Sequence, residues 1–278
     1  LVLQELDEAV SRAFGQGVEP GPVYLDFPAD TQRAEVPKPV QLEEHFRPKP
    51  KPVLLPHDED VTAAVELLWS AKRPLVISGR GARSAGAELR AFLDALGAPY
   101  LDTGESKGLI QDDHPSVVAA MRGAVMGQAD VVVTVGRRLD FQLAYGSPAV
   151  FADAKFLRIG DAPSEIRDNR RGAVELFAQP AAALAAIVRK AGGRKPSVDR
   201  AWADGLRAKH QERAEKLKAS MAAAASDSAG RIHPNRLLAE LQAQLKPDAV
   251  VIADGGDFLS FARVGLSSSG YLDSGSLG

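Results

Sequence analysis

Between residues 57 and 191 the apolar positions switch repeatedly between two periods. Val61, Ala64, Val65 and Leu68 recur at helical spacing, and "PLVIS" (74–78) then runs apolar without a break. Leu89, Phe92, Leu93 and Leu96 fall at i, i+3, i+4 and i+7, the stripe of an amphipathic helix. "APYLD" (98–102), "DVVVTVG" (130–136) and "KFLRIG" (155–160) predict three more strands, and 181–188 returns to helix. Uninterrupted apolar strands separated by amphipathic helices predict an α/β fold, a doubly wound and mostly parallel sheet covered on both faces.

The flanks read differently. Leu3, Leu6, Val10 and Phe14 predict a helix, and "GVEPGPVYLDFPAD" predicts a short strand, Val23–Phe27, closed by Pro28. One helix and one strand cannot make a core, so 1–33 is expected to be the tail of a domain. Residues 34–56 carry six prolines, which forbid helix interior and central strand and predict an extended linker. After 57–191, the segment 192–231 predicts a linker and a polar helix over roughly 198–224 with few apolar anchors. In 232–278, Pro234 at a first helical position precedes Leu237, Leu238, Leu241 and Leu245, and a strand at 249–253 leads into "DGGD".

Composition removes several classes. With 34 basic and 36 acidic residues the net charge is −2, so the chain shows no electrostatic footprint for nucleic acid or an anionic membrane. No apolar run approaches the length of a membrane span. The absence of cysteine excludes disulfides, thiolate metal sites and cysteine nucleophiles, and fits a cytoplasmic protein. Five scattered histidines lack metal-ligand spacing, so no protein metal site is expected. No G-x-S-x-G elbow occurs, and "GLSSSG" reads as a turn.

Chemistry concentrates in loops leaving the carboxyl ends of predicted strands: "SGRGARSAG" (78–86), "VGRRLDFQ" (135–142) and "RIGDAPSEI" (158–166). In open α/β sheets ligands bind outside those ends. Gly79 and Gly81 let backbone approach a phosphate, Arg83, Arg137 and Arg138 offer guanidinium forks, and Asp161 offers an acceptor for ribose or adenine. A single such loop is more simply a tight turn. Three on one edge predict a nucleotide-like ligand.

In order and spacing these segments resemble the thiamine-diphosphate-dependent enzymes of the acetolactate synthase type. "GPVYLDFPAD" resembles the closing strand of that family's pyrimidine-binding domain. "RPLVISGRGAR", "ADVVVTVGRRLDF" and "LRIGDAPSEI" resemble its central domain, and "IHPNRLLAELQAQLKPDAVVIADGGDF…GSLG" resembles the start of its diphosphate-binding domain. The resemblance implies an internal slice: the pyrimidine-domain tail at 1–33, the linker at 34–56, the central domain at 57–191, a connector at 192–231, and the diphosphate-domain head at 232–278. The family's catalytic glutamate would precede Leu1 and its G-D-G metal motif would follow Gly278, so no catalytic residue is expected in this segment, and the segment alone is expected to be inactive.

The family reaction adds a 2-keto acid to the cofactor's thiazolium, expels carbon dioxide and passes the remaining unit to an acceptor. The resemblance further implies thiamine diphosphate with magnesium in the full-length parent, ADP or FAD held in the central domain at Gly79, Gly81, Arg138, Asp140 and Asp161, and a homodimer or homotetramer. Gln142 stands where the flavin synthases carry arginine, and 121–130 lacks their Gly-Met-His-Gly loop; both weigh against FAD. At the cofactor the implied contacts are Gly255, Gly256 and Asp257 near the diphosphate, and Gly275 and Leu277 at the pyrimidine, with Leu277 as the wedge that bends the cofactor. The alternatives are a thiamine-dependent 2-hydroxyacyl-CoA lyase or an enzyme like oxalyl-CoA decarboxylase, and, from another class, a non-catalytic nucleotide-binding module.

Overall fold

A computed structural model describes residues 2–16, 19–35, 52–226, 228–246 and 248–273. Most of the proline-rich linker, together with Gly275 and Leu277, lies outside the described residues. Contacts divide the chain into two units, Leu1–Val53 and Leu54–Gly278.

In the first unit, α1 (Val2–Ala13) forms over the expected stripe, with Arg12 and Glu8 paired at 2.6 Å one turn apart. A short helix, α2 (Ala29–Arg33), begins after Pro28. The strand expected at Val23–Phe27 does not form. The segment has no ladder partner among the described residues, and Val23, Tyr24, Leu25 and Phe27 are exposed. Apolar alternation supplies a face, but cross-strand pairing is what stabilises a strand.

The second unit opens with α3 (Asp58–Ser70), β1 (Pro74–Ser78), α4 (Gly86–Leu96), β2 (Tyr100–Leu101), α5 (Arg122–Gln128) and β3 (Val131–Val135). It continues with α6 (Pro148–Phe151), β4 (Lys155–Gly160), α7 (Pro163–Ile166), β5 (Val174–Phe177) and α8 (Pro180–Ala191). The strands form one parallel sheet in the order β2-β1-β3-β4-β5, as expected of a doubly wound fold. The order reverses between β1 and β3, where such sheets open a crevice.

Period-two alternation sorts the two faces. Val131, Val133 and Val135 pack with Leu68 of α3, Leu89 and Phe92 of α4 and Ile187 of α8. Val132 packs on the opposite side with Leu75, Phe156, Val125 of α5 and Phe151 of α6. Each such side chain contributes roughly 1.5–3 kcal/mol relative to exposure. Helix α4 ends at Gly97, whose φ of 66° is the left-handed conformation of a helix terminator.

Two strands have no clear sequence signal. In β5 only Leu176 is buried, so this edge strand shows no apolar run. The other, β7 (Gly270–Asp273), pairs in parallel with β6 (Val250–Ala253). With α9 (Arg200–Ala223), α10 (Pro234–Gln244) and α11 (Asp257–Gly265), these strands build a third core of Met221, Leu238, Val251, Ala262, Leu266 and Tyr271. The 24-residue α9 has two fully buried anchors: Leu206 in the sheet's second core and Met221 in this third one. The helix coincides with the polar one expected over roughly 198–224.

Candidate functional site

Gly79 and Gly81 follow β1, Arg138 and Asp140 follow β3, and Asp161 follows β4, three strands adjacent in the sheet. All five therefore stand at one carboxyl edge. The loops there pack tightly. A Cβ on Gly79 would lie 2.6 Å from the Gly136 carbonyl oxygen, and one on Gly81 would lie 2.7 Å from Gly136 Cα. Gly136 has a φ of 54°, and its own Cβ would fall 2.4 Å from Gly81 Cα. Here the absence of a side chain serves the approach of two loop backbones across the point where strand order reverses.

Asp140 accepts from both Nη atoms of Arg137, at 2.7 and 2.8 Å, and from the Gln142 N–H at 3.0 Å. It thereby fixes Arg137 and caps the turn that follows. Arg137 also donates to Gln142 Oε1 at 2.9 Å. Arg138 is exposed and Asp161 half-buried on the same edge.

Sequence reasoning passed over Arg158, the charge inside "KFLRIG". Its side chain is fully buried, and each of its guanidinium nitrogens is engaged. Nε donates to Thr134 Oγ1 at 2.7 Å, and Nη1 donates to Asp168 Oδ1 at 2.8 Å and to the Arg170 carbonyl. Nη2 donates to the carbonyls of Glu165 at 2.6 Å and Arg137 at 3.3 Å. Five donors meet five acceptors, the full capacity of a guanidinium. Asp168 also accepts from the Leu139 N–H, so one ion pair ties the loops after β3 and β4 together.

A cavity of about 1430 Å³ opens on the other side of β2. Its walls come from the loop between β2 and α5, from α9, and from α10, α11 and β7. Lys107 from the loop, Arg122 at the start of α5, Arg207, His210 and Arg213 from α9, and Arg263 from α11 line it. Lys107 is buried and lies 6.0 Å from the centroid of the Tyr271 ring; Arg263 stands at the same distance. Arg263 is neutralised by Asp273 at 3.0 Å and by Asp102 at 3.4 Å. Among the described residues neither Lys107 nor Arg122 has an acidic partner within an ion-pair distance. Burial, then the charges of Arg263 and Arg137, lower the Arg122 pKa. Lining acids include Asp112 and Asp113, and Asp112 accepts from Ser267.

A buried hydroxyl network lies beside β2, and of its members Thr103 lines the cavity. Ser78 and Tyr100 share a hydrogen bond at 2.5 Å, and Thr103 and Ser106 both donate to the Ser78 carbonyl, at 2.6 and 3.0 Å. Burial, then Asp102, raises the Tyr100 pKa far above its usual value, so the phenol stays protonated. The rule that singles out the loops after β1, β3 and β4 applies equally to "DTGESKG" after β2. The α9 and α11 contributors are separated from that loop by roughly 90–160 residues, and no local pattern marks them.

After β6, Gly256 has a φ of 81° and caps α11, and the Gly255 N–H donates to Asp254 Oδ1 at 2.7 Å. The helix start offers backbone donors to an anion. Asp254 and Asp257 beside it are exposed acids, whose charge opposes direct contact with one. Among the described residues no group of three or more acidic, histidine or cysteine side chains could hold a metal ion.

Residues 61–187 match the family model described as thiamine pyrophosphate enzyme, central domain. The chain is 35% identical over 219 residues to oxalyl-CoA decarboxylase of Escherichia coli, covering 77% of this chain and 39% of that protein. It is 31% identical to 2-hydroxyacyl-CoA lyase 1 of Mus musculus, over 93% of this chain and 45% of that one. It is 29% identical to a probable acetolactate synthase of Mycobacterium bovis, over 100% of this chain and 49% of that one. The sheet order and these matches define a thiamine-enzyme central domain, and the chain belongs to the thiamine-diphosphate-dependent enzyme family. It spans half or less of the length of these relatives. Among the described residues no helix is long and apolar enough to cross a membrane.

Proposed function

We propose that the protein containing this chain is a thiamine-diphosphate-dependent decarboxylase or carboligase acting on 2-keto acids, in the manner of acetolactate synthase. The reading is carried by the family match over 61–187 on a sheet of the order β2-β1-β3-β4-β5. In it, 1–33 ends the pyrimidine-binding domain, 34–56 is its linker, 57–191 is the central domain, 192–231 connects, and 232–278 begins the diphosphate-binding domain. Gly255, Gly256 and Asp257 would stand at the diphosphate with magnesium between, and Gly275 and Leu277 at the pyrimidine. The cofactor supplies the electron sink, and this chain's residues orient it and exclude water. A homodimer or homotetramer in the cytoplasm completes the proposal.

One observation favours a second reading, a coenzyme A thioester as substrate. Lys107 and Arg122 present cationic groups without acidic partners to a cavity large enough for a long ligand, and such groups suit phosphates. The names of the bacterial and mouse relatives point the same way. Turnover of the two substrate classes separates these readings.

The central-domain crevice is proposed to hold ADP, with Arg138 as the exposed phosphate-pairing group and Asp161 as the acceptor; FAD is the other candidate. ADP is expected to raise the melting temperature by linkage. Arg138→Ala should weaken ADP binding by roughly 1–3 kcal/mol in calorimetry, the scale of charge-assisted hydrogen bonds. If neither ADP nor FAD binds, the glycines serve loop packing alone.

A further inference from the structure

We propose that His210 and Arg213 form a pH-sensitive latch that holds α9 against the turn at Ala119–Met121 and so fixes one wall of the cavity. Two side chains on one face of α9 grip both backbone polar groups of a single residue. The Ala120 N–H donates to His210 Nδ1 at 3.2 Å, and Arg213 Nη1 donates to the Ala120 carbonyl at 2.7 Å. Trp202 Nε1, donating to Gln128 Oε1 at 2.8 Å, anchors the helix nearer its start, and Leu206 is the adjacent buried contact. Beyond Arg213 the next buried side chain of α9 is Met221, in the third core. The latch is therefore where the cavity-facing part of α9 is held to the sheet domain.

The chemistry of the bond makes it titratable. Nδ1 accepts only in a neutral imidazole whose proton is on Nε2. A second proton sets an N–H against the Ala120 N–H, which replaces attraction by repulsion and leaves a half-buried amide without an acceptor. Asp102, Lys107, Asp112, Asp113 and His114 line the cavity from the loop after β2, Arg122 from α5, Arg207, Arg213, Glu215 and Lys218 from α9 itself, Arg263 from α11 and Asp273 from β7. Of these, Asp112 favours the charged ring, but burial outweighs it and lowers the His210 pKa. With the folded value below the ordinary imidazole value, the bond is at full strength above that ordinary value. It weakens as pH falls through it toward the lower folded value. The Arg213 hydrogen bond to the Ala120 carbonyl does not involve the imidazole, so acid loosens the wall without releasing the helix entirely. This inference does not depend on which substrate the cavity takes.

Hydrogen exchange read by mass spectrometry on the protein at its full encoded length tests it. Corrected for intrinsic chemistry, exchange over residues 119–122 should rise about fivefold to tenfold between about pH 7.5 and about pH 5.5, the range in which histidine charges. His210→Asn keeps an acceptor near the position of Nδ1 but cannot titrate, and should flatten that rise. Arg213→Met should speed exchange at every pH without changing the slope. Protection that does not vary with pH in the wild type, or an equal rise in His210→Asn, would overturn the latch.

Discussion

Arg158→Met is expected to cost about 3–5 kcal/mol of folding stability, the range for removing one partner of a buried ion pair. The substitution keeps much of the volume and removes every donor at once. Asp168 is left nearly buried without its guanidinium, and the carbonyls of Arg137, Glu165 and Arg170 lose their donor. Asp168→Asn should cost less, because the amide can still accept from the Leu139 N–H. Since the two residues share one network, the double variant Arg158→Met/Asp168→Asn should lose less than the sum of its singles. Urea denaturation followed by circular dichroism measures all three. A loss below about 1 kcal/mol for Arg158→Met would mean that the loops after β3 and β4 are held by something else.

Gly136→Ala is the second large effect. Its Cβ would sit 2.4 Å from two atoms of Gly81 and 2.5 Å from the Ala82 nitrogen, all of them backbone. Its φ of 54° adds the left-handed penalty, about 1–3 kcal/mol. Overpacking of a rigid contact adds roughly 1–3 kcal/mol more, because one loop must move away from the other. Gly81→Ala should be milder, since part of its clash is with the carboxylate end of Glu165, which can shift. Gly123→Ala is the control: it lies exposed inside α5 with nothing within 4 Å of its Cβ, and should stabilise by about 0.4–1 kcal/mol. Melting curves of the three variants give the ranking. A neutral Gly136→Ala would refute the loop contact.

The elements buried on both faces were the legible ones. "PLVIS" and "KFLRIG" coincide with β1 and β4, because a central parallel strand is buried on both faces and so reads as a mostly apolar run. The edge strand β5 was not legible, as "VELF" buries one side chain and is defined by its register on β4. The opposite error occurred at Val23–Phe27, where a suitable pattern has no neighbouring edge among the described residues. At the candidate site, the strand-end loops could be located from Gly79, Gly81, Arg138, Asp140 and Asp161. The mutual packing of Gly81 and Gly136 could not be foreseen, since it joins two loops that are distant in sequence. Arg158 left a trace, a charge in an apolar strand, but only the fold shows that it joins the loops after β3 and β4. His210 and Arg263 left none, because helix α9 and helix α11 reach the β2 loop through tertiary packing alone.

Dependence on thiamine diphosphate is directly measurable in one assay. The protein, produced at its full encoded length, is stripped of cofactor and incubated with pyruvate, or with oxalyl-CoA and a 2-hydroxyacyl-CoA, in the presence and absence of thiamine diphosphate and magnesium. Turnover of at least one of these substrates is expected to vanish on stripping and to return with the cofactor. Turnover that ignores the cofactor, or a protein that neither binds thiamine diphosphate in calorimetry nor converts any of the three, would contradict it.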